Sequence, residues 1–390
     1  MSKLQELIKE LCPEGVDYKK LGELLDYEQP TKYIVKSTEY DASYDIPVLT
    51  AGQTFILGYT NEKFGVYKAS QENPTIIFDD FTTSFHWVDF EFKIKSSAMK
   101  MLRPKDTFDG SFKYVYYAMK CIKYEAVDHT RHWISKYSQF EIPVPPLEVQ
   151  EEIVRILDHF TNLAAELQAE LQARKEQYEY YRNKLLMFDK IGGGTQSVTW
   201  MKMSEIGNIC MCKRIMKEQT NNIGGVPFYK IGTFGKVADA YISQELYEDY
   251  KNRFSFPVKG EVLISASGTI GRSVIYDGKD AYFQDSNIVW VHNDEMKVLN
   301  KYLHHYYRII EWNVEGGTIK RLYNSNLAKT KIAVPSLPEQ ERIVNILDKF
   351  ENLTTDLQTG LPAEMAAVQE QYEYYRNKLL SFPRNEKISA

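Results

Sequence analysis

Two long segments of the chain place apolar residues three or four positions apart, the spacing of a helix with one apolar stripe. The first runs through residues 153–185 and the second through residues 343–379. Both stripes approach the seam of a coiled coil. The blocks before them alternate β-branched and aromatic residues with Gly, Ser and Asp turns, as in residues 73–97 and 260–291, which predicts strands. Each block therefore reads as an α+β fold that is followed by a long helix.

The decapeptide QYEYYRNKLL occurs at Gln177–Leu186 and again at Gln371–Leu380. Upstream of it, Ile142–Leu163 and Ile332–Leu353 are identical at 14 of 22 positions. The offset grows from 190 to 194 residues between the two matches. Because four residues make about 1.1 helical turns, this insertion keeps the stripe nearly in phase. The chain therefore contains an internal repeat, which predicts that its two halves are related by a pseudo-two-fold axis.

The repeat divides the chain into four parts: residues 1–145, 146–190, 191–335 and 336–390. The first and third are the α+β blocks, and the second and fourth are the helices. Gly360 and Pro362 interrupt the second helix, so we expect a kink or a restart near Leu361 with Pro362 in the first turn. Three consecutive glycines in the segment 191–197 predict a flexible linker between the halves.

The net charge of −5 is unevenly distributed along the chain. Residues 191–335 carry 18 Lys and Arg against 14 Asp and Glu, whereas each of the other three parts has an acidic excess of three. Local charge decides whether a surface attracts nucleic acid, so the overall sign does not exclude DNA as a partner. No apolar run reaches the roughly 18 residues of a membrane span, and the N-terminus does not resemble a signal peptide. These features and the four sparse cysteines predict a cytoplasmic protein.

Catalytic signatures are largely missing from the sequence. It has no Asn-Pro-Pro-Tyr/Phe methyltransferase motif, no Walker motif and no Gly-x-Gly-x-x-Gly motif. The glycines of residues 268–273 predict a turn instead. Asp79 or Asp80 with Glu91 and Lys93 loosely matches a metal-nuclease arrangement, but Glu91 and Lys93 also fit the solvent face of a strand. The histidines lack further ligands at suitable spacing, so we predict no metal site.

What remains is a predicted binding surface. DDFTTSFHW (residues 79–87) and SASGTIGRS (residues 265–273) are hydroxyl-rich loops that each follow a strand, at corresponding places in the two halves. Hydroxyls, amides and cations are the groups that contact phosphates and base edges. From loop position and chemistry we predict these DNA-binding residues: Gln53, Thr82, Thr83, Ser84, His86, Arg131, Lys136, Lys230, Thr233, Lys236, Ser267, Thr269, Arg272, Lys320 and Arg321.

With these features, the chain resembles the specificity subunits of type I restriction–modification systems. The resemblance covers nearly the whole chain. It is carried by IPVPPLEVQEEIVRILDHF, IAVPSLPEQERIVNILDKF and the two decapeptides, which look like the conserved regions of that family. Residues 46–65 and 76–102 look like one of its target recognition domains.

The resemblance implies two target recognition domains that each read one half of a bipartite DNA site, separated by two long antiparallel helices. Two modification subunits that carry S-adenosylmethionine would dock on the conserved regions and methylate adenine N6. Restriction subunits would add translocation and cleavage with ATP and Mg²⁺, and the chain itself would hold no cofactor and no catalytic centre. The residues expected in the helix and subunit interface are Leu157, Phe160, Tyr178, Tyr181, Leu185, Leu347, Phe350, Tyr372, Tyr375 and Leu379.

Two other functions stay open on the sequence alone. One is a metal-dependent nuclease that uses Asp80, Glu91 and Lys93, although the second half has no equivalent triad. The other is a coiled-coil adaptor that binds proteins and not DNA. A DNA reader should lose affinity steeply as salt rises, whereas the adaptor should not bind DNA.

Overall fold

A computed structural model describes residues 3–52, 54–124, 131–188, 198–317, 320–356 and 358–385. The chain forms two compact units. The first unit comprises Met1–Leu167 and Met365–Ala390, and the second comprises Gln168–Glu364. The predicted linker, residues 191–197, lies outside the described residues. In the part of the chain that the structure describes, no helix is both long and apolar enough to cross a bilayer.

Among the described residues of the first unit, nine strands build three small sheets. They are β1 (Asp17–Lys20), β2 (Leu25–Glu28), β3 (Ile46–Leu49), β4 (Ile56–Thr60), β5 (Thr75–Asp79), β6 (Phe85–Val88), β7 (Lys93–Ile94), β8 (Met99–Pro104) and β9 (Glu141–Val144). The sheet orders are β2-β8-β5-β6, β4-β3-β7 and β1-β9. All pairs are antiparallel except β3 with β7.

The second unit repeats this topology strand for strand. Its strands are β10 (Thr199–Lys202), β11 (Asn208–Cys210), β12 (Val226–Tyr229), β13 (Tyr241–Ile242), β14 (Val262–Ser265), β15 (Ser273–Ile275), β16 (Tyr282–Phe283), β17 (Ile288–His292) and β18 (Lys331–Val334). The orders β11-β17-β14-β15, β13-β12-β16 and β10-β18 match those above, and β12 pairs in parallel with β16. The predicted internal repeat and α+β class are confirmed.

Eleven α-helices are described: α1 (Lys3–Leu11), α2 (Leu21–Leu24), α3 (Phe112–Met119), α4 (His132–Ser135), α5 (Leu147–Leu186), α6 (Met203–Ile206), α7 (Gln244–Arg253), α8 (Asn300–Tyr306), α9 (Asn324–Lys329), α10 (Leu337–Thr355) and α11 (Leu361–Leu379). Helices α3 and α8 are rich in aromatic residues and are called the aromatic helices below. Their tyrosine hydroxyls donate to the last strand of the unit, Tyr114 to Pro143 O at 3.0 Å and Tyr302 to Ala333 O at 2.8 Å.

A buried glutamine fixes the start of the long helix in each unit. Gln150 Nε2 donates to Pro145 O at 2.6 Å, and its Oε1 accepts from the Ser111 backbone N–H at 2.9 Å. Gln340, its repeat partner, donates to Pro335 O at 2.9 Å and accepts from the Leu299 N–H at 2.8 Å. Each amide therefore ties the end of a strand, the start of a long helix and the start of the aromatic helix together.

The apolar stripes of the long helices pack as repeat-related pairs. In the first unit Phe160 of α5 stacks on Tyr375 of α11, with ring centroids 5.5 Å apart. In the second unit Tyr181 of α5 stacks on Phe350 of α10 at 5.6 Å. In each unit, a phenylalanine of one repeat thus stacks on the last tyrosine of the other repeat's decapeptide.

All ten predicted stripe residues lie in the cores or helix contacts of their own units. Leu157 and Leu347 are fully buried, and Tyr178 is buried against α8. Tyr372 and Leu379 pack on the core of the first unit, and Leu185 packs on that of the second.

The second long helix is broken where the sequence predicts a restart. Helix α10 ends at Thr355 and α11 begins at Leu361, with Pro362 in its first turn. The Asp356 carboxylate accepts from the Gln358 and Thr359 N–H groups between them. The break lies within the segment that gained four residues. The predicted break is therefore present, and the buried Leu361 and Val368 continue the stripe after it.

A buried ion pair supports the β5–β6 turn of the first unit. Asp80 Oδ2 lies 3.2 Å from Lys100 Nζ, and both side chains are about 2% exposed. Asp80 Oδ1 accepts from the Trp133 N–H at 2.7 Å. Lys100 also lies over the Tyr27 ring, 4.6 Å from its centroid. Because both carboxylate oxygens have partners inside the core, Asp80 is a structural residue.

Loss of this charge should destabilise the first unit. Asp80→Asn leaves Lys100 buried without a counter-ion, so we expect a loss of about 3–5 kcal/mol in the free energy of unfolding, measured in urea. Combining it with Lys100→Met should recover most of the loss. Glu91→Gln removes the exposed pair with Lys68 and should cost under about 1 kcal/mol. Equal costs for Asp80→Asn and Glu91→Gln would contradict this assignment.

A polar network joins α8 to α10 in the second unit. Glu351 Oε1 accepts from Arg308 at 2.5 Å, and Arg308 also donates to Tyr178 Oη at 2.6 Å. Burial alone would raise the pKa of Glu351, but the neighbouring His304 and the charge of Arg308 lower it to about 2. Since the pKa is lower in the folded state, Glu351 stabilises the fold above its ordinary pKa of about 4.3.

That contribution should disappear in acid. Between about pH 4.5 and pH 2 the carboxylate becomes protonated, and up to about 3 kcal/mol of stability is lost. The difference in unfolding free energy between the wild type and Glu351→Gln should therefore be largest near pH 7 and should shrink toward pH 2.5. Glu341→Gln, at an exposed position of the same helix, is the matched control for removal of a surface carboxylate. A constant difference for Glu351→Gln across this range would refute the linkage.

Candidate nucleic-acid interface

Four segments meet at one edge of the first unit: the described part of the β3–β4 loop (residues 50–52 and 54–55), the β5–β6 loop (80–84), the β7–β8 loop (95–98) and Arg131 directly before α4. Backbone hydrogen bonds hold them together. Lys95 N donates to Leu49 O at 3.1 Å, and Asp80 N donates to Ala98 O at 2.9 Å. His132 N donates to Asp80 O at 2.9 Å, which brings Arg131 to the same edge.

The second unit holds the equivalent segments with the equivalent bonds. Gln284 N donates to Tyr229 O at 2.9 Å, Ala266 N donates to Asn287 O at 2.7 Å, and Leu322 N donates to Ala266 O at 2.8 Å. The two hydroxyl-rich loops therefore occupy corresponding places, as predicted. Arg321 takes the place of Arg131. One backbone scaffold thus presents two different sets of side chains.

The β5–β6 loop of the first unit directs hydroxyls outward. Asp79 Oδ1 accepts from the Phe81 and Thr82 N–H groups, both at 2.9 Å, which closes the turn. Thr83 adopts the left-handed conformation (φ 58°) and is buried. The exposed Thr82 hydroxyl lies 2.6 Å from that of Ser84. Of the three predicted residues on this loop, Thr82 and Ser84 are therefore the accessible ones.

The other predicted residues of the first unit differ in their surroundings. His86 Nε2 lies 3.1 Å from Gly52 O, and its ring lies 4.7 Å from that of Phe55. Burial lowers the pKa of His86, so it is a neutral donor or acceptor near pH 7. Arg131 is exposed, and so is Lys136 at the end of α4. Gln53 lies outside the described residues.

The β14–β15 loop of the second unit is the turn that its glycines predict. Gly268 and Gly271 have φ of 65° and 84°, and a Cβ on Gly271 would lie 2.2 Å from Trp312 Nε1. Ser267 is buried and donates to Asn287 Oδ1 at 2.9 Å, whereas Thr269 is exposed. Arg272 reaches the neighbouring β12–β13 loop and donates to Phe234 O at 3.1 Å.

The remaining predicted residues lie on two segments beside that loop. Lys230 and Thr233 share one turn, in which Lys230 N donates to Thr233 Oγ1 at 3.2 Å, and Lys230 Nζ pairs with Asp239 at 2.9 Å. Lys236 follows on the same loop and is exposed. Lys320 is exposed too, while its neighbour Arg321 forms a backbone bridge with Ser267. The structure therefore brings all three predicted segments of the second unit together.

Sequence reasoning missed the fourth segment, residues 95–98 and 284–287. Both are short turns between two buried strands. The signal was present as Lys-Ser-Ser-Ala in one half and Gln-Asp-Ser-Asn in the other. It was obscured because β7 and β16 are only two residues long.

The proposed nuclease triad is not assembled. Asp80 pairs with Lys100, and Glu91 pairs with Lys68 at 2.5 Å. Lys93 Nζ lies 3.2 Å from Glu62 and donates to Phe64 O at 2.7 Å. The three residues have separate partners, so the nuclease interpretation is wrong.

One group of possible metal ligands exists among the described residues, formed by His305, Asp348 and Glu351. Asp348 already pairs with Lys301 at 2.6 Å, and Glu351 pairs with Arg308 at 2.5 Å. Protein cations therefore already neutralise both carboxylates of this group.

Comparison with known proteins agrees with the repeat. The family profile "Type I restriction modification DNA specificity domain" matches residues 13–176 and 197–367. A Haemophilus influenzae protein named as a type I restriction enzyme specificity subunit is 45% identical over 380 residues, which cover 94% of this chain and 96% of that protein. The specificity subunit of an Escherichia coli type I restriction enzyme is 41% identical over the full length of both chains.

Solved structures agree at the level of the fold. The specificity subunit of a type I restriction–modification system from M. genitalium superposes with a TM-score of 0.58 at 16% identity, covering 94% of this chain and 96% of that one. A chain from a structural study of type I complex assembly superposes with a TM-score of 0.56 at 17% identity. The two family domains and the full-length relatives agree with the repeated units described above, and the chain belongs to the family of type I restriction–modification specificity subunits.

Proposed function

We propose that this chain reads a bipartite DNA site for a type I restriction–modification complex, one half-site with each unit. The observation that supports this proposal is that the same four segments meet at one edge of each unit. Both units hold four segments with the same backbone hydrogen bonds but with different side chains. A common scaffold with variable loops suits a protein that must dock on DNA twice and read two different sequences.

The side chains at each edge suit the two tasks of DNA recognition. Exposed cations such as Arg131, Lys236 and Lys320 can neutralise phosphates and position the duplex. Hydroxyls such as those of Thr82 and Ser84 can donate to or accept from base edges in a groove. Because the loops are held at their ends by backbone hydrogen bonds, little ordering is needed when DNA binds.

The repeated decapeptide suits docking of two identical partners, which we take to be modification subunits. Its buried tyrosines contribute to the packing of the units, since Tyr178 accepts from Arg308 and packs in the core. Tyr180 and Tyr374 occupy the next outward position of the two copies and are 59% and 57% exposed. Lys184 and Lys378 lie over these rings. Two equal aromatic patches support a stoichiometry of two modification subunits to one chain.

Specificity subunits carry no catalytic centre, so the chemistry belongs to the partners. The modification subunits would bring S-adenosylmethionine to adenine N6, and restriction subunits would use ATP and Mg²⁺ for translocation and cleavage. This chain would position both on the chosen site. Such a complex would act in the cytoplasm, where the cell's DNA and invading DNA are both accessible.

Methylation of DNA tests this function directly. The chain alone should not methylate DNA, and the modification subunits alone should not select a site, whereas the reconstituted complex should methylate adenines in one bipartite sequence. Sequencing of modified bases in plasmid DNA would reveal that sequence. Binding of the complex should weaken steeply as salt rises. Methyl transfer by the isolated chain, or methylation without a sequence pattern, would refute the proposal.

Docking is tested by the two exposed tyrosines. Tyr180→Ala and Tyr374→Ala should each remove one modification subunit, and the double variant should remove both. A hot-spot aromatic residue typically costs about 2 kcal/mol or more of binding energy. Native mass spectrometry at limiting concentration would count the subunits. Tyr323→Ala, at a tyrosine that is 46% exposed outside the decapeptides, is the matched control. Unchanged stoichiometry in the double variant would contradict this docking surface.

A further inference from the structure

We propose that the β16–β17 loop, Gln284–Asn287, determines which bases the second unit accepts. The inference rests on the proposed function, because it assumes that this unit reads DNA. The loop was not among the residues that the sequence singled out. The inference is based on the position of the loop in the fold, its backbone conformation and its unused hydrogen-bonding groups.

The loop is the centre of the edge in the second unit. Its first residue bonds the β12–β13 loop, since Gln284 Oε1 accepts from the Ile231 N–H at 3.0 Å. Its last residue bonds the β14–β15 loop, since Asn287 Oδ1 accepts from Ser267 at 2.9 Å. Each of the two neighbouring loops thus depends on a side chain of Gln284–Asn287.

Two arginines from other parts of the unit converge on the middle of the loop. Arg214 Nε donates to Asp285 Oδ2 at 2.8 Å, and Arg321 donates to Ser286 O at 2.6 Å. The Arg214 side chain is still 66% exposed, so most of its donors remain available. Arg321 spends one bond on the loop and keeps others. Guanidinium groups fixed in this way are the usual readers of guanine O6 and N7.

The backbone of the loop is held in an uncommon conformation. Ser286 has φ of 53°, the left-handed region that few residues other than glycine adopt. Such a conformation persists where the surroundings impose it, and here the contacts of Asp285, Ser286 and Asn287 do so. The loop is therefore fixed before any ligand binds.

Two amide groups are left as unused donors. Gln284 and Asn287 each spend the side-chain oxygen on a neighbouring loop. The side-chain oxygens accept from Ile231 N–H and Ser267, and among the described residues no hydrogen bond from Gln284 Nε2 or Asn287 Nδ2 is formed. Arg214 and Arg321, which bond the same loop, add further donors. A cluster of donors selects base edges that present acceptors, so we infer a preference for guanine, or for adenine N7 and thymine O4, at the bases it meets.

The equivalent loop of the first unit has the same position and different chemistry. Lys95 N and Ala98 O make the two backbone bonds that correspond to those of Gln284 and Asn287. Its side chains are a lysine, two exposed serines and an alanine, with no amide. Lys95 Nζ donates to Tyr40 Oη at 3.0 Å. The two units should therefore differ in the bases read at this position.

Asn287→Asp and Gln284→Glu test the inference with little structural change. Each substitution keeps the side-chain oxygen that accepts from Ser267 or from the Ile231 N–H. It replaces the unused amide NH2 donor by an acceptor oxygen. In the reconstituted methyltransferase, methylation of the wild-type site should fall about 5- to 150-fold, the range expected for one base contact. Sequencing of methylated adenines should show relaxed or altered bases in one half-site and an unchanged other half.

Controls separate the possible outcomes. Asn252→Asp adds the same charge on the exposed surface of α7 and should leave the motif intact. Circular dichroism checks that each variant is folded, and the two loop variants are independent of each other. A motif that stays the same in both loop variants, with affinity uniformly reduced or unchanged, would overturn this assignment while leaving the proposed function intact. Wild-type complex that methylates no defined sequence would instead refute the proposed function.

Discussion

The arrangement of each unit depends on one buried side chain, the glutamine that begins the long helix. Gln150 and Gln340 each bond a strand end through the amide nitrogen and an aromatic helix through the oxygen. A buried amide is stabilising only when its donors and acceptor find partners, so its geometry is demanding. That demand fixes where the helix leaves the sheet. The Pro-rich turn before each helix also helps to fix this geometry, because proline restricts the backbone φ angle.

The repeat separates the conserved task of the protein from the variable one. Strand order, the aromatic helix and the stacked Phe–Tyr pairs recur in both units with nearly equal geometry. The loops recur in position but not in chemistry. Backbone hydrogen bonds determine the position of the loops, and these bonds do not depend on the identity of the side chains. Side chains can therefore diverge, and with them the bases that are read, while the docking geometry stays constant.

Burial decides the role of several polar groups that look alike in the sequence. Asp79 and Asp80 are adjacent, yet Asp79 caps the turn at the surface and Asp80 neutralises Lys100 in the core. In the same way, Tyr178 and Tyr180 belong to one decapeptide, but one is buried against α8 and the other is exposed. A charged or aromatic residue in a motif is thus structural or functional according to the face that it occupies.

The sequence by itself determined the repeat, the α+β class, the long helices and the restart near Leu361, because periodicity and proline act locally. It also located the two hydroxyl-rich loops. It could not find Gln284–Asn287, since that loop is important only through contacts with segments up to 71 residues away, such as Arg214. Nor could it show that Asp80 is buried against Lys100. Those outcomes depend on which segments pack together, and only the tertiary structure decides that.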